Sequence, residues 1–153
     1  MTQETSVTDV APSSAPIGQS FLLGLLGYNC LQAYLKVTPM IKRLLAKYKL
    51  KPVEFTVLAL VAENPLINQK RIGDTINVSP PNLATLLDRM QENGLIERQR
   101  NPRDKRSHII ALTVQGQALF DKTKNSVANL EMTSSLDRDE HDQLIRLLQK
   151  VFM

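Results

Sequence analysis

The sequence predicts a mostly α-helical chain with one small β-hairpin, and three observations carry that prediction. Apolar residues recur at helical spacings through most of the 153 residues. Period-two alternation is confined to the stretch around Leu95–Leu112, on either side of the turn-forming run Asn101-Pro102-Arg103-Asp104. Ser, Thr, Asn, Pro and Gly fall mostly at the borders of the apolar runs, where helices start and stop. The length and the 42% apolar content suit one compact domain, or one with a helical extension.

Residues 1–17 are rich in Ser, Thr, Pro and Ala and have no apolar period, so a flexible tail is expected there. From Gln19 to about Leu50 the chain reads as helix, with Leu22, Leu25, Leu26, Leu31, Leu35, Ile41, Leu44 and Leu45 mostly at helical spacings. Pro39 lacks an N–H donor and follows Thr38, a possible N-cap, which predicts a kink or break at that point. Pro52 suits a first helical position and opens a short apolar helix, Val53 to Ala62, that Asn64-Pro65 ends. A further short helix covers Gln69 to Ile76. After Asn77-Val78, Ser79 is the N-cap of a helix whose first turn accepts Pro80 and Pro81. Leu83, Leu86, Leu87 and Met90 define its buried face, while Asn82, Thr85, Asp88 and Arg89 lie opposite. Gly94 is placed to end it. Thr113 caps a helix running to about Met132, and Asp137 with Glu140 has capping-box spacing ahead of a last helix that reaches Phe152. Leu144, Leu147, Leu148 and Val151 form an apolar stripe on that last helix.

Two short helices joined by a tight turn and followed by a hairpin describe a winged helix-turn-helix. The charge distribution points the same way. The net charge of +4 is modest, yet the nine residues Arg98–Arg106 alone carry five bases and one acid. A cationic hairpin tip suits phosphate or minor-groove contact. Residues 21–50 hold another net +5, offset by the tail and the other segments, and are unexplained at this level.

Several classes are excluded. No window approaches 18 consecutive apolar residues, so no membrane span is expected. A single cysteine, Cys30, rules out an internal disulfide framework and a Cys-rich zinc site. His108 and His141 form no metal or catalytic cluster by spacing, and nothing pairs Cys30 with a histidine, so the reading is not an enzyme, with no cofactor and no metal. The start, Met1-Thr2-Gln3-Glu4, does not read as a secretory signal, and a cytoplasmic location is expected.

Five segments in order resemble the MarR family of bacterial transcription regulators, over about residues 20–153. Leu50-Lys51-Pro52-Val53-Glu54-Phe55-Thr56-Val57-Leu58 is similar to the family's second helix. Ser79-Pro80-Pro81-Asn82 and Leu86-Leu87-Asp88-Arg89-Met90 look like its recognition helix, and Asn93-Gly94-Leu95-Ile96-Glu97-Arg98 like the entry to its wing. Asp104-Lys105-Arg106-Ser107, followed by Leu112-Thr113-Val114-Gln115-Gly116, matches the wing motif and the start of the next helix. The resemblance implies a single domain over 18–153. In it, 18–50 and 114–153 supply dimerisation helices and 51–113 forms the winged-helix DNA-binding lobe of a homodimer. It also implies a small effector, such as an aromatic acid, bound between the dimer helices and that lobe, with Tyr28 and Gln32 as candidate contacts. The sequence departs from the family pattern at Pro39 and at Gly73, which is expected to soften its helix.

Candidate DNA contacts follow. Asn82, Thr85 and Arg89 are placed to meet base edges or phosphates, because Asn pairs bidentately with adenine and Arg with guanine. Ser79 at a helix N-terminus reaches a phosphate, and Gln69 and Lys70 are phosphate contacts only. In the wing, Arg100, Arg103, Lys105 and Arg106 lead. The resemblance implies that Asp104 orients Arg106 for a minor groove, and the alternative is that the two only pair structurally. Cys30 is the residue a peroxide-sensing regulator would use. It lies about one turn from that register, and a small buried thiol at the dimer core is the expectation. The alternatives to an effector-released repressor on a pseudo-palindromic operator are thus a thiol redox sensor and a winged-helix protein-interaction module without DNA binding.

Overall fold

The computed structural model describes residues 17–102, 104–131 and 136–153, and the side chains of all of these except 104–107 and 131. The expected tail up to Pro16, and the candidate Arg103, lie outside the described residues. So do the side chains of Asp104, Lys105 and Arg106. Seven helices and a two-stranded hairpin are seen among the described residues: α1 Ser20–Leu23, α2 Leu26–Ala46, α3 Pro52–Glu63, α4 Gln69–Ile76, α5 Pro80–Glu92, β1 Ile96–Asn101, β2 Asp104–Leu112, α6 Val114–Glu131 and α7 Arg138–Phe152. The chain packs as two units, one ending at Tyr34 and the other running from Leu35 to Met153.

The structure corrects the expectation at Pro39. α2 is continuous through that proline, and the interruption falls earlier, at Gly24-Leu25. Asn29 stabilises the interruption, its side-chain amide donating to the carbonyls of Leu23 (2.9 Å) and Leu25 (2.7 Å). A helix that passes through proline leaves the carbonyl four residues back without its donor. Here that residue is Leu35, which is 54% exposed, and Pro39 is exposed too, so the gap in the hydrogen-bond ladder falls on an open face of the helix.

The second unit holds the core. Leu45, Leu58, Ile72, Leu83, Leu87, Met90, Ile96 and Ile110 are almost wholly buried, drawn from α2, α3, α4, α5 and both strands. The predicted α5 face is the observed one: Leu83, Leu86, Leu87 and Met90 are buried, and Asn82, Thr85 and Asp88 are exposed. Phe55 of α3 packs on Phe120 of α6, with ring centroids 5.9 Å apart. Gly73 lies inside α4, which is unbroken there. It is buried where a Cβ would come within 3.0 Å of Leu83 Cδ2, so the missing side chain lets α4 and α5 approach closely.

The local caps agree with the sequence with one exception. Gly94 adopts φ +69°, and the N–H groups of Gly94 and Leu95 return to the carbonyls of Gln91 and Met90, a Schellman ending for α5. Thr113 accepts from the Gly116 N–H at 3.0 Å. Asp137 and Glu140 exchange side-chain and backbone bonds at 2.9 and 3.0 Å. Ser79 occupies the N-cap position of α5 but makes no side-chain cap bond. Pro80 and Pro81 have no N–H to offer, so fewer orphan donors wait there to be capped.

Candidate nucleic-acid interface

α4, the turn after it, α5 and the hairpin make one continuous surface in the second unit. Asn68, an N-cap that composition alone did not single out, accepts from the Arg71 N–H at 2.9 Å and starts α4. Asn77 then turns the chain in the left-handed conformation (φ 52°, ψ 46°), and the Val78 N–H donates to the Gly73 carbonyl. Asn tolerates this conformation better than most residues, and the turn delivers the chain straight into α5.

The hairpin pairs antiparallel, from Ile96 opposite Leu112 to Arg100 opposite His108. The register then shifts, and Asn101 pairs with Asp104. The bulged tip is built where the basic residues concentrate, and bulges commonly re-aim side chains. The hairpin is anchored at its base: the Ile110 N–H donates to the Ile67 carbonyl at 2.9 Å and the Thr113 N–H to the Leu95 carbonyl at 3.2 Å.

The candidate residues divide by position. Gln69 and Lys70 lie in the first turn of α4, with Lys70 exposed and Gln69 half-buried. They line, with Gly73, Asp74, Val78, Pro80 and Leu83, a cleft of about 340 Å³ between α4 and the start of α5. Ser79, Asn82 and Thr85 are exposed along the first two turns of α5. The Thr85 hydroxyl donates back to the Pro81 carbonyl at 3.1 Å, leaving its methyl and an oxygen lone pair outward. Arg100 is exposed on β1.

Arg89, a candidate DNA contact, is partly committed within the lobe while 40% of its side chain stays exposed. Its guanidinium is held by Glu54 of α3, with Nε at 2.9 Å and the terminal nitrogen at 2.8 Å from Oε1. Glu54 is a buried carboxylate, 4% exposed, that no motif had singled out. The only hint in the sequence was an acid inside an otherwise apolar helix. Arg98, counted with the basic tip, is also committed: it donates to Asp88 Oδ1 at 2.6 Å and to Gln91 Oε1 at 2.8 Å, bracing β1 against α5.

The ligand and redox candidates lie on α2. Tyr28 donates its hydroxyl to Gln19 Oε1 at 2.7 Å, and Gln32 is exposed one turn further on. Cys30 is exposed in the single chain, so burial of its thiol at a dimer core would have to come from a second protomer. Among the described residues no group of His, Cys, Asp and Glu is arranged to hold a metal ion, and no helix is long and apolar enough to cross a membrane.

Comparison with known proteins agrees with this geometry. Residues 50–108 match the MarR family model, which covers the helix-turn-helix and most of the hairpin. The chain is 34% identical over 101 residues to the HTH-type transcriptional regulator YkoM of Bacillus subtilis strain 168, a match covering 65% of this chain and 66% of that protein. It is 31% identical over 105 residues to the HTH-type transcriptional regulator MgrA of Staphylococcus aureus, covering 69% and 71%. Its fold is similar to the transcriptional repressor CouR bound to a 23-mer DNA duplex, with a TM-score of 0.82 at 34% identity over 91% of this chain and all of that one. CouR bound to p-coumaroyl-CoA gives a TM-score of 0.75 at 33% identity, covering 89% and 97%. With α4, its left-handed turn, α5 and the basic wing arranged as described, the chain belongs to the MarR family of winged helix-turn-helix proteins and is a DNA-binding transcription regulator, not an enzyme.

Proposed function

We propose that the protein is a cytoplasmic homodimeric repressor that binds a pseudo-palindromic operator and is released by a small effector. The observation that carries the dimer is the apolar surface left open on a single chain. In the first unit Phe21 is 78% and Leu26 54% exposed, and on α7 Leu147 is 51%, Val151 61% and Phe152 75% exposed. Patches of this kind mark association surfaces, and a C2 pair is the commonest way to cover them. Dimerisation sets two α5 helices on one duplex, about one helical turn apart.

Each protomer lays α5 in a major groove with Asn82 and Thr85 toward base edges. Ser79, Gln69 and Lys70 face phosphates, and Arg100, Arg103, Lys105 and Arg106 of the wing enter the neighbouring minor groove, Asp104 restraining the Arg106 guanidinium. The effector class is an aromatic acid or its coenzyme A thioester. The chemistry supporting it is the likeness to CouR, which has been captured with p-coumaroyl-CoA. Tyr28 and Gln32, one turn apart on α2, are the proposed contacts.

A mobility shift on the DNA upstream of the protein's own gene tests the reading, run at two salt concentrations with and without aromatic acids and their coenzyme A thioesters. The expected result is a salt-sensitive shift reversed by one member of that panel. Binding that no member reverses sinks the effector class, and absence of a shift at low salt sinks repression of its own promoter.

A further inference from the structure

We infer that Arg89 is a positioning residue for the recognition helix, working through Glu54, and not a reader of bases. The inference rests on the reading of α5 as the DNA-facing helix. Three observations lead to it. Both contacting nitrogens of Arg89 converge on one oxygen of Glu54, at 2.9 and 2.8 Å. The other oxygen of that carboxylate accepts the Lys51 N–H at 2.7 Å, so Glu54 also closes the first turn of α3. Glu54 is 4% exposed and has no access to a ligand of its own.

One buried carboxylate therefore ties the last turn of α5 to the first turn of α3. A single oxygen serves each helix, so neither bond can be released without leaving part of a buried charge unmet. Glu54 engages only the Nε and one terminal nitrogen, and 40% of the Arg89 side chain stays exposed, but that open part lies in the last turn of α5. Asn82 and Thr85 lie nearer the N-terminus of α5, the end by which recognition helices usually reach base edges, whereas Arg89 sits in its last turn. Arg89 sets the angle at which those two are presented.

Direct readout and positioning differ in what Arg89→Gln does to the salt slope and to base preference. If Arg89 reads a base, Arg89→Gln lowers the slope of log affinity against log salt by about one unit or relaxes one base position. If Arg89 positions α5, Glu54→Gln and Arg89→Gln each weaken binding by roughly tenfold, the double variant is no worse than either alone, and the salt slope is that of wild type. The full-length variants are titrated against the same upstream duplex and a shuffled duplex, at temperatures where circular dichroism shows them folded. Denaturant unfolding of the same four proteins reads the pair without DNA and should show the same non-additivity. Additive effects on binding, a reduced slope for Arg89→Gln, or undiminished affinity for Glu54→Gln would each overturn the positioning role. Failure of wild type to prefer the upstream duplex would instead count against the operator assignment, and the unfolding cycle then decides the pair.

Discussion

Gly116→Ala should destabilise the protein where Gly73→Ala hardly changes it, although both glycines sit in helices where Ala is the better former. At Gly116 an added Cβ overlaps the Leu95 carbonyl oxygen and lies 2.9 Å from its carbon, with no side chain to rotate away. Relief requires moving the start of α6 off the α5–β1 junction. That junction is held by the Thr113 N–H on the Leu95 carbonyl at 3.2 Å, the Thr113 hydroxyl on the Gly94 carbonyl at 2.5 Å, and the Gly116 N–H on Thr113 Oγ1 at 3.0 Å. Overpacking costs about 1–3 kcal/mol and a lost cap about 1, against about 1 gained from helix propensity, for a net loss of about 1–3 kcal/mol. At this chain length that lowers Tm by roughly 2–12 °C. At Gly73 the nearest atom is the terminal Cδ2 of Leu83 at 3.0 Å, with the Val78 carbonyl oxygen at 3.3 Å. An off-rotamer leucine costs about 1 kcal/mol, which the propensity gain of about 1 offsets, so Tm stays within about 4 °C of wild type. Thermal unfolding by circular dichroism at matched protein concentration is the assay, because a dimer's Tm depends on concentration. Gly116→Ala melting with wild type, or Gly73→Ala melting below Gly116→Ala, would refute the packing argument.

Three further outcomes are expected. Arg106→Ala weakens operator binding and lowers the salt slope by about one unit, and an unchanged slope removes Arg106 from the phosphates and the minor groove. Leu147→Glu, on the open α7 stripe, gives a folded monomer by sedimentation velocity, and a variant that remains dimeric places the interface elsewhere. Asp137→Ala loses the capping box of α7 and costs about 1 kcal/mol in denaturant unfolding, while a cost near zero would show that the exposed cap contributes nothing.

Local chemistry was legible in the sequence wherever the residue type carries its own conformational instruction. Gly94 in the left-handed region, Thr113 and Asp137 as N-caps and Pro52 opening α3 all follow from backbone preferences that need no distant partner. Pro39 misled for a related reason. Its local cost is real, but the gap it leaves falls on the open face at Leu35, and burial cannot be read from one helix alone. The role of Gly73 was invisible because it depends on Leu83, ten residues away on another helix. The MarR-like arrangement of helix, turn, helix and wing was legible because five local segments fall in order. Burial of Cys30 at a dimer core depends on a second protomer, and α2 leaves the thiol exposed within the single chain.

The same distinction explains which cations the sequence could assign. A count of bases in Arg98–Arg106 treats every guanidinium as available to a phosphate. In the folded chain Arg98 is committed to Asp88 and Gln91, and Arg89 to Glu54. These commitments do not weaken the DNA-binding reading, because they hold α5 to α3 on one side and to β1 on the other. Thr113 fixes the α5–β1 junction from a third direction. Recognition by short side chains, the role proposed for Asn82 and Thr85, tolerates little error in the placement of their helix, since such side chains reach only one base step. On the proposed reading, a helix braced by arginines and read by neutral residues divides the work: charge inside the lobe sets the geometry, and charge on the wing supplies the salt-dependent attraction to the duplex.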